Sequence, residues 1–307
     1  MTPRLETRQH AAETQEDHVQ VLVTGASGNG GQAVCMRLVD AGYTVRMADV
    51  APAPERGLGE FIRCDTRTAT DCRRAVEGVE AVVHLAAWHS AHRPPVSDAT
   101  IFAVNVDGTF NLLEACGEQG IRALVFASSM AYGFRSVYSV TKVIGESLCR
   151  SYHERMGASV AMLRYHEFIP RPYLEFGARL LRNGVDRRDV ASATVAAVQA
   201  TVEQRVNGLF TTIVHTDHGM PQAVMEDFRG LGPEWCEAQV PGARGLIDKY
   251  AIPLPERVEH HDLSKAARVL GWRPSTGFVD FLQDLKRRDE RGEDVAALRV
   301  PSELPAA

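Results

Sequence analysis

The sequence predicts an α/β fold, a doubly wound parallel sheet carrying a small C-terminal substrate lobe. Three observations support it. Short apolar runs alternate with helix-length segments from residue 19 to residue 163. A glycine-spaced turn, Gly25-Ala26-Ser27-Gly28-Asn29-Gly30-Gly31, joins the first run to the first helical segment. Tyr138 and Lys142 stand four residues apart on a later helix, and so share one face of it.

The elements follow in order. Residues 19–23 read as a strand, 31–41 as a helix and 44–48 as a second strand. A short strand at 61–64 precedes a helix at 68–77 and a fourth strand at 81–85. A long helix is expected over 100–118, a fifth strand at 123–127, the Tyr138 helix over 138–156 and a sixth strand at 160–163. This alternation implies right-handed crossovers and a ligand site at the carboxyl ends of the strands. The rhythm breaks near Pro170. A helix at 187–203 and a strand at 208–214 follow, then a Gly-, Pro- and His-rich stretch from 215 to 261 that reads as a lid or substrate lobe, expected to be a mobile cover with few buried apolar residues. Helices at 263–270 and 278–288 close the pattern. The organisation expected is a disordered leader at 1–18, a dinucleotide-binding unit at 19–165, a substrate lobe with closing sheet and helix elements at 166–290, and a disordered tail at 291–307.

Composition narrows the function. With 307 residues, 45% of them hydrophobic, the chain can bury one large core. A net charge of −5 and a pI near 6.1 give no support for a nucleic-acid or anionic-membrane partner. The first eighteen residues hold no apolar core, so they form neither a signal peptide nor a membrane span. The six cysteines are scattered without a Cys-x-x-Cys pair, the pattern of buried reduced thiols in a cytoplasmic protein.

The glycine turn has the context that dinucleotide binding requires, a strand before it and a helix after it. Gly25 permits the tight turn, Gly28 admits a pyrophosphate to the backbone, and Gly31 allows helix and strand to pack closely. Asp49 ends the second strand, where a carboxylate accepts hydrogen bonds from an adenosine ribose and repels a 2′-phosphate, favouring NAD over NADP. Arg46 is the one nearby residue that could reach a phosphate instead. Asp65, at the end of the third strand, is a candidate for adenine. Ser128 and Ser129 end the fifth strand, placed to donate to a substrate oxygen opposite Tyr138. Asn105 sits mid-helix, where asparagine is a poor helix former, and implies side-chain bonding to backbone or water. His84, His89 and His92 gather after the fourth strand. Their spacing supports no metal site, and His89, His92 and Arg93 read as a substrate-facing loop.

Taken together, these residues resemble the extended short-chain dehydrogenase/reductase family, with its NAD-dependent sugar epimerases, dehydratases and dehydrogenases on a Rossmann-like sheet. The resemblance runs from about residue 19 to 285. It rests on Thr24–Gly31, Asp49, Asp65, His84-Leu85-Ala86-Ala87, Asn105, Ser128-Ser129, Tyr138/Lys142, Leu163-Arg164-Tyr165 and the ending Leu270-Gly271-Trp272-Arg273-Pro274. It implies that Tyr138 is the acid/base, that Lys142 binds the nicotinamide ribose and lowers the Tyr138 pKa, and that Ser129 or Ser128 orients the reacting oxygen. It implies a cofactor site of Gly25, Ser27, Gly28, Asn29, Gly30, Gly31, Asp49, Asp65, Leu85, Ala86, Ala87, Asn105 and Lys142, and substrate contacts from His89, Ser128 and Ser129. A sugar or nucleotide-sugar substrate and a homodimer built on the 100–118 and 138–156 helices follow from the same likeness.

Three departures shape the reading. The interval from Ser129 to Tyr138 is short, the segment after Ser129 lacks the acidic pair used for water elimination, and Glu167 replaces the asparagine usual in nucleotide-sugar enzymes. The last feature, with the short stretch to Val185 and Val125-Phe126-Ala127-Ser128-Ser129, resembles uronate dehydrogenases, which carry an arginine for the sugar carboxylate after the sixth strand; Arg171 and Arg179 are the nearby basic residues. The alternatives are therefore a uronate-type dehydrogenase and, in a different class, a non-catalytic NAD(P)-binding regulatory protein.

Overall fold

The computed structural model describes residues 18–89, 94–131 and 135–300. His92, Arg93, the leader to residue 17 and the last seven residues lie outside that set. Seven parallel strands form one sheet: β1 (Gln20–Thr24), β2 (Thr44–Asp49), β3 (Glu60–Arg63), β4 (Ala81–His84), β5 (Ala123–Ser129), β6 (Ser159–Tyr165) and β8 (Leu209–Val214). Their order across the sheet is β3-β2-β1-β4-β5-β6-β8. The order reverses between β1 and β4, which opens a crevice at their carboxyl ends. β7 (Arg171–Pro172) stands apart from this sheet.

Each face of the sheet is covered by helices. On one side lie α1 (Asn29–Asp40), α7 (Arg187–Val202) and α11 (Ser264–Leu270), which bury Val34, Leu38, Val198 and Leu270 against β1, β4 and β6. On the other lie α2 (Ala69–Val76), α4 (Gly108–Glu118) and α5 (Val137–Met156), with Leu112, Cys116 and Tyr152 in the core. All six cysteines are buried and free. Fully burying a side chain of leucine size stabilises the fold by about 1.5–3 kcal/mol, so these two layers supply most of the cohesion.

The long helix expected over 100–118 begins earlier and is interrupted. A short α3 (Asp98–Phe102) leads into a π-helical turn, Ala103–Asp107, before α4 resumes. The Gly108 N–H reaches back to the Ala103 carbonyl, the five-residue step of such a turn.

Of the lid or substrate lobe expected at 215–261 the structure has a lobe, and it is packed, contrary to the expectation of few buried apolar residues. It holds α8 (Gln222–Glu226), α9 (Phe228–Gln239) and α10 (Ala243–Lys249), and these join α6 (Tyr173–Leu180) and α12 (Phe278–Glu290). Phe228, Cys236, Val240, Leu246, Ile247 and Val258 are buried there with Phe278, Phe281 and Leu285. The Gly, Pro and His count that suggested a loop was diluted over helices whose apolar residues face one another. The disordered tail expected from residue 291 is likewise packed as far as Val300. Val295 is buried, and β9 (Arg299–Val300) pairs antiparallel with β7.

Candidate active site

At the carboxyl edge of the sheet lies a cleft of about 2160 Å³, running from the Gly25 turn to Tyr138 and on to the lobe. Its floor is set by backbone crowding. Gly25 has φ +71°, and a Cβ there would lie 2.7 Å from the Ala86 nitrogen; one on Gly31 would meet the Gly25 carbonyl at 2.1 Å. Only glycine lets β1, α1 and the 85–87 segment come this close. Gly28 caps α1 without a side-chain hydrogen bond, and no acidic residue occupies the first turn. The helix N-terminus thus presents positive potential and unpaired N–H groups to the cleft.

Asp49 lines the same cleft, its carboxylate held by the Ser27 and Ala51 N–H groups at 2.9 Å each. Arg46 is turned away, bound to Glu60 at 2.7 Å and to the Ala75 and Glu77 carbonyls. The phosphate-binding alternative therefore has no basis in the geometry. Asp65 is also on the cleft wall, but its carboxylate is clamped by Arg67. Leu85, Ala86 and Ala87 line the floor. Asn29 reaches sideways, donating to the Phe168 carbonyl at 2.9 Å and accepting from Arg187 at 2.8 Å, so it ties the turn to the segment after β6. These residues fit a dinucleotide: a diphosphate at the α1 N-terminus and a ribose at Asp49.

Asn105 bonds backbone through its side chain, as its mid-helix place implies. Its amide accepts from the Trp88 N–H at 2.8 Å and donates to the Trp88 carbonyl and the Thr141 hydroxyl, each at 2.9 Å. It is 3% exposed, bonded at both ends and not among the residues lining the cleft, so it braces the cleft from behind. Thr141 in turn donates to the Tyr138 carbonyl at 2.7 Å. His84 is likewise structural, buried between the hydroxyls of Thr24 and Thr109 at 2.7 and 3.0 Å. Burial lowers its pKa to about 3.

Ser129, Tyr138 and Lys142 come together at the middle of the cleft. Gly145 makes this possible, since a Cβ there would sit 2.4 Å from the Phe126 ring and hold α5 off β5. Lys142 is 7% exposed, and its Nζ donates to the Ala127 carbonyl at 2.8 Å and lies 5.7 Å from the Tyr138 ring centre. Burial lowers its pKa to about 8. Burial also raises the Tyr138 phenol, and what opposes that rise is hydrogen bonding with Ser129. Lys142, whose ammonium donates to Ala127, contributes no lowering of the Tyr138 phenol in this arrangement. His89 meets the Tyr138 ring edge-on at 6.0 Å.

Ser128 lines the cleft beside Ser129, but its hydroxyl is already engaged. Neighbouring strand residues point to opposite faces, and the Ser128 hydroxyl donates to Glu146 at 2.5 Å. Glu146 is also gripped by Arg164 through two bonds of 2.8 Å. Glu167 binds Arg171 at 2.5 Å and Arg179 at 3.0 Å, and Glu175 contacts both arginines, so all four line the cleft as a neutral cluster. Sequence reasoning missed one further group, His166, His215 and His261, whose members are far apart in the chain and meet only in the fold.

A model of the NAD dependent epimerase/dehydratase family matches residues 21–173. An uncharacterized UDP-glucose epimerase of Bacillus subtilis, YtcB, is 32% identical, and the match covers 86% of this chain and 96% of that one. The chain belongs to the NAD dependent epimerase/dehydratase family. A uronate dehydrogenase of Pseudomonas putida is 29% identical over 50% of this chain, a match that spans 62% of that protein's length. Among solved structures, a short-chain dehydrogenase/reductase superfamily protein from Agrobacterium tumefaciens with bound NAD superposes with a TM-score of 0.65. It is 24% identical, and 89% of this chain and 98% of that one are covered. As a family member the chain is an NAD-dependent enzyme, in keeping with the cradle described above.

Proposed function

We propose that the protein transfers a hydride between a sugar or nucleotide-sugar carbon and NAD, with Tyr138 exchanging the hydroxyl proton. The observation that supports this is the meeting of Tyr138, Ser129 and Lys142 on the wall of a cleft that starts at the glycine turn and Asp49. Bound NAD supplies the hydride acceptor. Ser129 hydrogen-bonds the reacting oxygen, and Tyr138 takes its proton as the carbon is oxidised. Lys142 binds the cofactor ribose and places positive charge beneath the developing phenolate. His89, against the Tyr138 ring, contacts the sugar. The sugar class rests on the relatives, one named a UDP-glucose epimerase and one a uronate dehydrogenase.

A nucleotide sugar draws support from a second cavity of about 590 Å³ that shares Glu167, Phe168 and Arg171 with the cleft; of its other arginines, Arg188, Arg287 and Arg288 are paired with Asp186, Asp284 and Glu293, and Arg187 bonds Asn29. The uronate reading draws on Arg171 and Arg179 on the cleft wall after β6; a sugar carboxylate would have to take the place of Glu167 or Glu175 there. We also assign a cytoplasmic location, on the six free buried thiols. No helix among the described residues is long and apolar enough to cross a membrane.

The test is a panel of nucleotide sugars and free uronates with NAD. Interconversion of two sugars without net NADH selects an epimerase, and stoichiometric NADH from a uronate selects a dehydrogenase. Tyr138→Phe keeps the ring and should retain NAD binding while turnover falls by about 10²–10⁴. Parent-like turnover in that variant would remove Tyr138 from the role. No turnover by the parent on any sugar would favour the regulatory NAD(P)-binding alternative.

A further inference from the structure

β6 and β8 are neighbouring parallel strands whose last paired residues are Tyr165 and Val214. The next residue on each is a histidine. His166 and His215 therefore leave the sheet side by side, with ring centres 4.1 Å apart, and the His166 N–H holds the Val214 carbonyl at 3.1 Å. A third ring, His261, arrives from the segment joining the lobe to α11, which is anchored by the Glu259 N–H on the Leu181 carbonyl at 3.1 Å. Its centre is 4.8 Å from His166 and 5.1 Å from His215.

The hydrogen bonds fix which ring nitrogens remain to ligate. His215 Nε2 lies 2.8 Å from the Arg182 carbonyl, an acceptor only, so Nε2 carries the proton. Nδ1 is then a lone pair, and it is buried with no hydrogen-bond partner on a side chain 0% exposed. His166 is held in turn by the backbone of Asn183. Its Nε2 faces His261 Nε2 at 2.9 Å, with the Glu259 carboxylate 3.2 Å from His261 and 3.9 Å from His166. His215 and His166 are oriented by backbone groups, the outer-shell pattern of metal sites. The His261 Nε2 they face donates to Glu259 and would give up that proton to a bound cation. A tetrahedral ion with bonds of about 2.0 Å spaces its ligands about 3.3 Å apart, within the spread seen here. The three histidine ligand atoms all lie within 4.8 Å of one another.

We propose that His166, His215 and His261, completed by Glu259, bind one zinc-like divalent cation. Three imidazoles and a carboxylate suit a borderline-soft ion, and four protein ligands close its coordination, which makes the site structural. The ion pins the lobe-to-α11 segment to the carboxyl ends of β6 and β8. His166 and Glu259 also line the cleft, so the ion stiffens its far wall.

The test is metal content and affinity of the full chain, stripped with chelator and then titrated with Zn²⁺ or Co²⁺. The expected result is one ion per chain, the visible absorption of four-coordinate Co²⁺, and a Zn²⁺-dependent rise in Tm. His261→Ala should weaken binding more than the roughly 10–100-fold lost with an outer-shell partner. Its exposed neighbour serves as control, and His260→Ala should bind as the parent does. Retained NAD binding shows that His261→Ala is folded; if it is not, Glu259→Gln takes its place, with the same loss expected. Absence of stoichiometric uptake by the parent, or equal uptake by the ligand variant, overturns the proposal and leaves a hydrogen-bonded imidazole cluster.

Discussion

Lys142 is the residue whose physics is most exposed to measurement. Its ammonium is buried, donates to the Ala127 carbonyl and lies 5.4 and 5.7 Å from the Phe126 and Tyr138 ring centres, and desolvation lowers its pKa from 10.5 to about 8. The sign follows from linkage. Between about pH 8 and 10.5 the unfolded chain holds this proton and the folded chain does not, so stability rises with pH across that window. Below pH 8 the fold carries the full penalty of a buried charge. Lys142→Met removes it, and the variant should be more stable than the parent at pH 7 by a few kcal/mol at most (~1.4 kcal/mol per pKa unit). The advantage should shrink as pH rises from 8 to 10.5. Paired thermal melts at the two ends of the window check this, since other groups titrate alike in both proteins. A gap that does not narrow would mean the lysine is not desolvated as the structure has it. A site that accepts such a penalty is trading stability for a charge held where a cofactor and a phenol need it.

At the scale of elements, the interrupted helix before β5 shows what periodicity conveys and what it leaves out. Apolar residues recur at helical spacing from Ile101 to Cys116, and that pattern is the same whether the middle turn has the α or the π hydrogen bond. The widened turn brings Asn105 inward to bridge Trp88 and Thr141, which passes the connection to the Tyr138 carbonyl. The residue itself hinted at this, because a mid-helix asparagine implies bonding to backbone. The likeness to relatives pointed instead to the cofactor. Asn105→Ala removes the bridge between the Trp88 backbone and the buried Thr141 hydroxyl and should destabilise the fold by about 1–3 kcal/mol, read by denaturant unfolding. Because Tyr138 loses its support, turnover should fall while NAD affinity stays near parental; equal loss of both would make Asn105 a cofactor contact after all. The sheet was legible throughout because each strand is a short apolar run bounded by turn residues. The lobe was not, since its core joins residues from 173 to 295 and no local window contains it. The histidine cluster was hidden for the same reason: residues 166, 215 and 261 become neighbours only through the pairing of β6 with β8 and the anchoring of the 259 segment.

For the whole molecule, one apolar surface without a partner among the described residues lies on the helices opposite α1 and α7. Phe102 and Phe110 are 41% and 49% exposed on α3 and α4, and Val140 and Val143 are 54% and 43% exposed on the adjoining α5. Single exposed apolar residues are ordinary, but four on neighbouring helices make a patch that water solvates poorly. A two-fold axis through such a patch sets each copy's α4 and α5 against their counterparts and buries the same residues twice, which is the economy of an isologous dimer. We therefore propose a homodimer through this face. Phe110→Glu with Val143→Glu would place four like charges in the interface and should yield a monomer by sedimentation velocity at concentrations where the parent is dimeric. The cleft opens at the carboxyl edge of the sheet, away from these side chains, so NAD affinity measured by calorimetry should survive the change. A parent that sediments as a monomer at every concentration would refute the dimer, whereas loss of NAD binding in the dispersed variant would show that α5 needs its partner to hold Tyr138 and Lys142 in place.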